Sequence, residues 1–490
     1  MPLKIFNTRT RQKEVFRPIK EGEVGMYVCG ITAYDVCHVG HARAAVVFDV
    51  VYRHLRVRGY KVTYVKNFTD IDDKIIDRAN TEGTGFAEIA ERYIRLHDED
   101  MAALNVLPPT VTPRATEHMA DMISLISALE EKGIAYPVDG DVFFAVRHFP
   151  VYGGLSGRLL DDMLAGARVD VNDKKKNPLD FVLWKKSKKD EPFWESPWGQ
   201  GRPGWHIECS AMSRRYLGDT FDIHGGGEDL VFPHHENEIA QTQAVTGKSP
   251  ANYWMHNGFV KINAEKMSKS LGNIFPVREI LRQCHPEVLR LFMLQSHYRS
   301  PVDYSDTSLT EARAALTRCY AALKLMKDAR ADAAVPADAT PLPARLEYIR
   351  KMNEFKDRFD AALDDDFNTA QALGYVFESA RMINNLLTSE KKMPLAEKKC
   401  VLETAFPAFG HFGDVLGIFL SDPDAFFDAD REIEVRKRGL DEENITRLIA
   451  QRQAARDDKD WSRADDIRKQ LAAMGVVLKD SPVGTAWSVE

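Results

Sequence analysis

Two histidines and two glutamates crowd the start of one predicted helix, in the stretch FPHHENEIAQ at residues 232–241. Residues three or four apart share a helix face, so His234 and Glu238, or His235 and Glu238, can point at one spot. Imidazole and carboxylate are ligands for Zn²⁺, which usually takes four ligands in a protein site. The stretch therefore predicts half of a metal site, and soft cysteine ligands would have to come from elsewhere in the chain. The spacing does not choose between the two histidines.

Two more histidines, His38 and His41, stand three residues apart in CHVGHAR, after a predicted strand and at the start of a predicted helix. Gly40 between them permits close approach of the backbone. A helix N-terminus attracts phosphate through its unpaired N–H groups and its dipole, and imidazoles there can donate to phosphate oxygens. ATP is the expected ligand. Histidines that only cap the helix would give the same tetrapeptide.

A polar loop, EKMSKSLGN at residues 265–273, carries Lys266 and Lys269. An ammonium group is a compact charge on a flexible stem, which suits the charge that develops on a departing pyrophosphate. By itself the stretch is better explained as a solvated lysine loop. The histidine pair and the lysine loop lie about 225 residues apart, each beside a predicted α/β unit, and together they favour one nucleotide site.

The elements that would position these residues form two similar halves. In the first, VGMYVC (24–29) is a predicted buried strand, a helix runs through Arg53, and KVTYVKNF (61–68) is a strand that ends at Thr69. In the second, DTFDIHGGG, HHENEIAQTQAVTG and NYWMHNGFVKI repeat the order strand, helix, strand. Two such halves predict a doubly wound parallel sheet with a ligand crevice at the carboxyl ends of its strands.

The HVGH and KMSKS pair resembles the two signature motifs of class I aminoacyl-tRNA synthetases, with Val39 in place of an isoleucine. The longer stretches CGITAYDVCHVGHAR, FTDIDDKIIDRAN, GRPGWHIECSAMS and FDIHGGGEDLVFPHHENEIAQ are similar to those of the bacterial cysteinyl-tRNA synthetase family. The resemblance runs from about residue 3 to the C-terminus and is densest up to residue 310. It implies a ligase that activates L-cysteine with ATP, accompanied by Mg²⁺, and transfers it to tRNA(Cys).

The resemblance also implies roles for individual residues. One Zn²⁺ per chain would be bound by Cys29, Cys209, His234 and Glu238, which selects His234 over His235. The catalytic residues would be His38, His41, Lys266 and Lys269. ATP would contact His38, Gly40, His41, Gly226, Asp229 and Lys269, and the amino acid would contact Thr69, Trp205 and Asp229.

Zinc would let such an enzyme distinguish cysteine from serine by the chemistry of the side chain rather than by its size. A hydrophobic pocket separates substrates that differ by one small group only about 10- to 200-fold. A thiol, of pKa about 8.5, loses its proton on coordination to zinc, whereas an alkyl hydroxyl is a weaker acid and a poorer ligand. We therefore expect rejection of serine without an editing domain. The substrate sulfur would add as a fifth ligand or loosen one of the four, most readily Glu238.

Composition limits the other possibilities. A chain of 490 residues, 44% of them hydrophobic, can form two to four domains. The net charge of −7 excludes a uniformly basic nucleic-acid binder, so any RNA contact must be local. Six scattered cysteines without CxxC argue against a disulfide framework. The first 16 residues contain no apolar core of signal-peptide length, and the longest apolar stretch, near AAVVFDVVY (44–52), is far below a membrane span, so we expect a cytoplasmic protein. The family resemblance favours a monomer.

The predicted fold class is α/β: a Rossmann-like class I synthetase catalytic domain with an insertion, a helical bundle and a small C-terminal α/β module. The predicted parts are the first catalytic half (1–112), a connective insertion (113–203), the second half with the lysine loop (204–275), a stem-contact region (276–320), a tRNA-binding helical bundle (321–425) and an anticodon-recognition module (426–490). We expect the insertion to begin as helix and end in charged loops. The Ala-, Pro- and Asp-rich residues 328–345 read as a linker.

Two features suggest where RNA would bind. The stretch NDKKKNPLDFVLWKKSKK (172–189) carries seven lysines and two aspartates, with Phe181 and Trp184 between them. Lysines can pair with phosphates and aromatic rings can stack on bases, so we predict contact with the acceptor end; a solvated loop is the alternative. In the last segment, Trp461 and Trp487 are candidates for stacking on anticodon bases or for core packing.

Two other functions fit part of the pattern. A cysteine ligase of the same superfamily, which joins activated cysteine to an aminosugar, would share the zinc and ATP motifs. It would lack a long RNA-reading C-terminus, and here about 180 residues follow the last catalytic motif region. A zinc-stabilised RNA-binding protein would show no cysteine-dependent exchange of pyrophosphate with ATP.

Overall fold

The structure is a computed structural model of this chain. It describes residues 2–160, 174–262, 275–331, 343–481 and 484–489, together with the backbone of residues 265–266.

The strands in these ranges are β1 (Lys4–Asn7), β2 (Gln12–Val15), β3 (Glu23–Thr32), β4 (Lys61–Thr69), β5 (Ala135–Val138), β6 (Asp141–Phe144), β7 (Phe181–Lys186), β8 (Gly201–Pro203), β9 (Phe221–Gly227), β10 (Ala251–Asn257), β11 (Val260–Ile262), β12 (Glu265–Lys266), β13 (Val302–Tyr304), β14 (Val476–Ser481) and β15 (Gly484–Val489). The α-helices are α1 (Val39–Val57), α2 (Asp73–Glu82), α3 (Phe86–Ala103), α4 (Met119–Glu131), α5 (Trp205–Leu217), α6 (Glu236–Thr246), α7 (Val277–Ile280), α8 (Pro286–Leu294), α9 (Asp306–Ala331), α10 (Pro343–Asp364), α11 (Thr369–Thr388), α12 (Leu395–Leu416), α13 (Pro423–Lys437), α14 (Glu442–Asp457) and α15 (Trp461–Ala473). Shorter helical turns span Ala115–His118, Val146–His148, Glu228–Leu230 and Val231–His235.

A parallel sheet of four strands, in the order β10-β9-β3-β4, forms the centre of the fold. The chain adds β4 on one side of β3 and returns later to add β9 and β10 on the other side. The strand order therefore reverses between β3 and β9. In open α/β sheets a ligand binds at this reversal, outside the carboxyl ends of the strands. The predicted doubly wound parallel sheet is confirmed.

Helix α1 connects β3 to β4 and carries the HVGH motif at its start. His38 is its N-cap residue, and Val39, Val46 and Val50, which lie seven and four residues apart, are buried along one face. The helix ends at Val57, and the turn into β4 contains Gly59 with φ +88, a conformation that glycine adopts without steric cost. The motif thus lies directly beyond the carboxyl end of a central strand.

A buried ion cluster holds the middle of α1. Asp49 is fully buried and binds Arg53 at 2.8 Å and Arg290 of α8. The Arg290 guanidinium also donates to the carbonyl oxygens of Leu416 (2.7 Å) and Leu104 (2.9 Å). A buried guanidinium requires both a counter-charge and acceptors. Because Leu416 ends α12, these contacts tie the helix that carries HVGH to the C-terminal helices.

The insertion differs from the prediction. It begins with helix α4, as expected, but its second part contains an antiparallel sheet in the order β5-β6-β7-β8 rather than loops alone. Phe144 and Trp184 are fully buried in its core. The strands are three to six residues long and lie among lysines, prolines and tryptophans, so the alternation that marks a strand is too short to recognise in the sequence.

The C-terminal part is helical, as predicted, with two differences at its breaks. Helix α9 continues to Ala331 and α10 begins at Pro343, so the linker prediction holds for at most residues 332–342, which lie outside the described residues. Helix α13 runs from Pro423 to Lys437 and so crosses the predicted boundary between residues 425 and 426; proline is favoured in the first turn of a helix. Helices α14 and α15 pack on the antiparallel hairpin of β14 and β15. None of the helices among the described residues could cross a bilayer.

Candidate active site

Cys29 lies near the carboxyl end of β3, at the point where the pairing of β3 with β4 shifts register. The neighbouring Gly30 donates its N–H to Asn67 Oδ1 at 2.9 Å. A Cβ atom on Gly30 would stand 1.5 Å from the Asn67 carbonyl oxygen, so no larger residue fits. Asn67 Oδ1 also lies 3.7 Å from Cys209 Sγ. Asn67, which the sequence did not single out, therefore contacts both the β3 backbone and a candidate ligand.

The four predicted ligands come together at this edge of the sheet. Single ligand atoms of Cys29, Cys209, His234 and Glu238 all lie within 4.8 Å of one another. Cys29 Sγ is 3.8 Å from Cys209 Sγ and 3.4 Å from Glu238 Oε1, and His234 Nε2 is 3.0 Å from the same oxygen. Cys209, His234 and Glu238 are buried, and Cys29 is half-buried.

A second set, formed by Cys29, His224, His235 and Glu238, satisfies the same distance limit. The distances, like the sequence spacing, therefore do not choose between His234 and His235. The two sets differ chemically. The set with His234 contains two thiols, and two sulfur ligands with one imidazole favour zinc over harder ions. The ring contacts do not separate the sets, because His235 Nδ1 lies 2.7 Å from His256 Nε2 and His234 Nδ1 lies 2.9 Å from His206 Nδ1.

An array of histidines surrounds the cluster. His224 Nε2 lies 2.9 Å from Glu238 Oε2, and its ring stacks on Trp254 with centroids 4.4 Å apart. His206 Nδ1 lies 2.9 Å from His234 Nδ1. Imidazoles and carboxylates that hydrogen-bond to ligands commonly orient them and tune the metal. The sequence gives no signal for His206, His224 and His256, because they come from separate elements, two of them in strands where a histidine looks like a core residue.

The electrostatics of the cluster match a divalent cation. Burial raises the pKa of the Glu238 carboxyl, but the positive charges of His224 and His234 outweigh it and hold this pKa well below its usual range. The hydrogen bond from the Cys29 thiol lowers the pKa of Cys209 to about 6, against the effect of burial. Ionised thiol and carboxylate side by side in a dry pocket require a positive charge. Burial lowers the pKa of His234, but Glu238 and Cys209 raise it to about 10, so protonated His234 supplies that charge in the metal-free chain. A bound metal ion would displace these protons and take over the role.

Trp205 and Thr69 both lie beside the cluster. Trp205 opens helix α5, is 40% exposed, and stacks on the His234 ring with centroids 4.2 Å apart. Thr69 ends β4, is buried, and donates its hydroxyl to Glu208 Oε2 at 2.5 Å. Trp205 thus covers a candidate ligand from the solvent side, while the Thr69 hydroxyl already has an internal acceptor.

The two histidines of HVGH form a reciprocal cap on α1. His38 Nδ1 accepts from the N–H groups of Gly40 (3.1 Å) and His41 (3.4 Å), and His41 Nδ1 accepts from the His38 N–H at 3.4 Å. The rings stack with centroids 3.7 Å apart. Capping therefore does occur, and it directs Nδ1 of both rings to the backbone. It is compatible with phosphate binding because it fixes both rings at the helix N-terminus.

The lysine loop begins and ends beside this helix. Lys266 pairs through its backbone with Lys261 in the antiparallel pair of β12 and β11. Residues 267–274, with Lys269, lie outside the described residues. Beyond them, the Phe275 carbonyl accepts from the Val39 N–H at 3.1 Å, and the Val277 N–H donates to the Cys37 carbonyl at 2.9 Å. The chain that leaves the lysine loop is thus hydrogen-bonded to the backbone of the HVGH segment.

The glycines of HGGGED have an internal explanation. A Cβ atom on Gly225 would stand 2.3 Å from the Phe48 ring of α1, and one on Gly226 would stand 2.8 Å from the His235 ring. Both contacts are too close for any side chain, so these glycines let α1 and the histidine array pack on β9. Asp229 follows in the turn Glu228–Leu230 and is exposed at the carboxyl end of β9.

The lysine-rich stretch of the insertion is partly neutralised. Lys174 binds Asp141 at 2.8 Å and Lys185 binds Asp73 at 2.7 Å. Trp184 is fully buried, and Phe181 is only 9% exposed. The predicted stacking of these two rings on bases is therefore wrong, because both belong to the core of the insertion sheet.

Comparison with known proteins identifies the family of the chain. Residues 15–314 match the sequence model of the family "tRNA synthetases class I (C) catalytic domain", residues 358–420 match the "DALR domain", and residues 439–487 match the "Cysteinyl-tRNA ligase anticodon binding domain". The chain belongs to the class I cysteine–tRNA ligase family. The predicted family is confirmed, and with it an enzyme that ligates an amino acid to tRNA.

Individual relatives extend the match to the whole length. The cysteine–tRNA ligases of Trichlorobacter lovleyi and Geobacter metallireducens are each 55% identical to this chain, over 100% of both sequences. Among solved structures, methionyl-tRNA synthetase of Mycobacterium tuberculosis in complex with methionyl-adenylate aligns with a TM-score of 0.59 and 17% identity, covering 81% of this chain and 92% of that one. That likeness shows the fold alone, and it confirms the predicted α/β fold class.

Proposed function

We propose that this chain charges tRNA(Cys) with L-cysteine in two steps. The carboxylate of cysteine attacks the α-phosphorus of ATP and expels pyrophosphate, and the cysteinyl group then passes to the terminal adenosine of the tRNA. One observation carries the proposal: the two thiols, the imidazole and the carboxylate meet at the sheet edge that also holds the HVGH helix. The names of the full-length relatives supply the amino acid and the tRNA.

The cluster fits zinc. Its donor set of two sulfurs, one imidazole nitrogen and one carboxylate oxygen is typical of Zn²⁺, and its burial and ionised groups suit a divalent ion. Cys29, Cys209, His234 and Glu238 would hold the ion. When bound, zinc supplies a Lewis acid that prefers a thiolate sulfur to a hydroxyl oxygen. Mg²⁺ would arrive with ATP, because magnesium is usually held by substrate phosphates and one or two carboxylates.

The residues around the cluster would orient the amino acid. Trp205 is half-exposed over His234 and would close the pocket on the substrate side chain. Asp229 is exposed at the carboxyl end of β9 and would accept from the substrate ammonium or a ribose hydroxyl. Thr69 would act through Glu208, which accepts its hydroxyl, and so shape the pocket wall.

The nucleotide would lie across the start of α1. His38, Gly40 and His41 would bind its phosphates at the helix N-terminus, and Gly226 would lie near the adenosine on the β9 side. Lys266 and Lys269 would neutralise the departing pyrophosphate. The protein supplies position and charge in both steps, and neither step needs a protein nucleophile.

The tRNA would span the remaining parts. We propose that the helices of residues 321–425 contact the body of the tRNA and that residues 426–490 read its anticodon, with the insertion 113–203 and the stem-contact region 276–320 nearer the acceptor end. The two catalytic halves keep the predicted bounds 1–112 and 204–275. We propose further that the protein acts as a monomer in the cytoplasm.

Cys209→Ser tests the role of the cluster. We expect the variant to lose its zinc and, with it, most cysteine-dependent exchange of pyrophosphate with ATP and the preference for cysteine over serine. Cys400→Ser, a half-buried cysteine of α12, is the matched control and should change neither zinc content nor exchange. A Cys209→Ser protein that lacks zinc but still activates cysteine with full preference over serine would refute metal-based selection.

A transfer assay, with tRNA and an aminosugar as alternative acceptors, separates the rival functions. Transfer of activated cysteine to tRNA supports the proposal, whereas transfer to an aminosugar in place of tRNA would support the related ligase. The match of residues 439–487 to an anticodon-binding family favours tRNA.

A further inference from the structure

Cys29 and Cys209 place two sulfur atoms 3.8 Å apart, although 180 residues separate them in the chain. A disulfide bond is about 2.05 Å long, so joining them needs an approach of less than about 2 Å. Cys29 is half-buried and Cys209 is 2% exposed, so a small oxidant would reach Cys29 first. We propose that the pair is an oxidation site: in the metal-free chain a hydroperoxide joins Cys29 and Cys209 in an intramolecular disulfide, and bound metal protects both thiols.

Hydrogen peroxide would oxidise the two thiols to the disulfide in two steps. The Cys29 sulfur attacks one peroxide oxygen, the O–O bond breaks, and a sulfenic acid forms while the other oxygen leaves as water with the thiol proton. The Cys209 sulfur then attacks the Cys29 sulfur. The S–S bond forms, the S–O bond breaks, and a second water leaves with the Cys209 proton. The two cysteines together lose two electrons, which the peroxide gains.

The other cysteines lack this arrangement. Burial raises the pKa of the Cys37, Cys284 and Cys319 thiols, as it also raises that of Cys29, so the short distance between two sulfurs rather than acidity distinguishes the Cys29–Cys209 pair. Cys400 is half-buried in α12, where its sulfur contacts Arg345 Nη1 at 3.6 Å. Cys400 can therefore be oxidised, and it serves as an internal comparison for a thiol beside an arginine rather than beside a second cysteine.

Oxidation and metal binding would exclude each other. The disulfide would remove two of the four proposed ligands, and thiols in a disulfide are no longer thiolate donors. The inference depends on the proposed function only for the identity of the protecting metal. The disulfide itself depends on the distance between the two sulfurs.

Peptide mapping of the full chain tests the site. The protein is stripped of metal with a chelator, checked for retained folding by circular dichroism, treated with hydrogen peroxide and blocked with an alkylating agent. We expect a Cys29–Cys209 linked peptide pair in the metal-free protein, and formation slower by on the order of 10-fold or more in the zinc-loaded protein. Recovery of both cysteines in alkylated form, or linkage of either to another cysteine, would overturn the site.

Two variants sharpen the test. Cys209→Ser should yield no linked peptide and leave a Cys29 sulfenic acid that dimedone traps, whereas Cys400→Ser should form the linkage at the wild-type rate. Dithiothreitol should restore zinc binding to the oxidised protein. A linkage that forms equally fast with and without zinc would overturn the protection. A chain that forms the linkage but never binds zinc would keep the disulfide site and remove zinc from the proposed function, so the two failures are distinguishable.

Discussion

The candidate metal cluster and the C-terminal module stabilise their charged groups in opposite ways. At the cluster, four imidazoles (His224, His234, His235 and His256) are buried with Glu238 and Cys209. In the module, the apolar core is formed by Ile445, Leu448, Ile467, Leu471 and Val476. The ion pairs of the module lie nearer the surface, where Arg452 and Arg456 both bind Asp480 at 2.6 Å.

This difference predicts how each region responds to change. In a dry pocket, loss of one partner leaves another charge without compensation, which costs about 3–5 kcal/mol. Near the surface, water and salt screen the same loss to about 1 kcal/mol or less. Substitutions at the cluster should therefore abolish chemistry, and substitutions in the module should act mainly through RNA affinity and local stability.

Glu238→Gln should have the largest effect. It keeps the shape of the side chain but removes the charge that His224 and His234 stabilise. We expect loss of bound zinc and a fall in pyrophosphate exchange on the order of 100-fold or more, beyond the roughly 10- to 100-fold typical of residues that only support a ligand. Zinc content by mass spectrometry and exchange rates measure both. Exposed Glu443→Gln is the control, and unchanged zinc in Glu238→Gln would contradict the buried-charge argument.

Removal of the C-terminal module should spare the first step. A cut after Gly439 removes α14, α15 and the β14–β15 hairpin. It keeps Phe426, which stacks on Tyr320 with ring centroids 3.8 Å apart. We expect pyrophosphate exchange within about 2-fold of the full chain, because the module has its own core. Charging of tRNA should fall on the order of 100-fold, the equivalent of stacking on one to three bases. Equal charging rates would show that the module does not read the anticodon.

The two module tryptophans should separate binding from stability. Trp461 is 61% exposed, whereas Trp487 packs on the module core and lies under Arg431, 5.1 Å away. Trp461→Ala should weaken tRNA binding about 10-fold at constant salt and leave the melting temperature unchanged. Trp487→Ala should lower the melting temperature instead. Titrations with tRNA and thermal melts distinguish the two, and the reverse pattern would assign stacking to Trp487.

The smallest effect should come from the surface ion pairs. The hydrogen bond from Arg452 contributes most to holding the pKa of Asp480 well below its usual value, with Thr485 and Arg456 adding to it. The folded pKa lies below the unfolded value of about 4, so the stabilisation is complete at neutral pH and is lost as the pH falls below about 4. Solvent screening limits it to about 1 kcal/mol.

Asp480→Asn tests whether the ion pairs of Asp480 stabilise the module at neutral pH and lose this effect in acid. At pH 7 the free energy of local unfolding of the β14–β15 hairpin, measured by hydrogen exchange in increasing urea, should be lower in the variant than in the wild type. The difference should shrink between pH 4 and pH 3. A difference that grows as the pH falls would contradict the assigned shift.

Local sequence patterns were enough to predict the strands and helices that position the site. The strands before HVGH and within HGGG, and the helix that begins after His235, are continuous apolar or periodic segments, and parallel pairing of such segments follows general rules. The ligand set came from the family resemblance, since spacing alone left His234 and His235 equal. The bounds of the domains and the individual site roles stay predictions.

Contacts between segments that are distant in the chain could not be predicted from the sequence. The insertion sheet was missed because its strands are short and pair across loops. His224 and His256 looked like core residues of their strands, and only the parallel register of β9 and β10 brings them beside His235. Asn67 gave no signal, because its contacts with Gly30 and Cys209 join β4 to β3 and α5.

The amino-acid sequence alone determined the α/β order, the place of the helix start that we propose binds phosphate and the chemical types available for a metal site. These depend on local periodicity and on which side chains can ionise or donate. The tertiary structure decided which thiols, imidazoles and carboxylate meet, how dry their pocket is and how α1 is anchored to the C-terminal helices. Those properties arise from packing between residues up to hundreds of positions apart, where burial and distance set the strength of every charge.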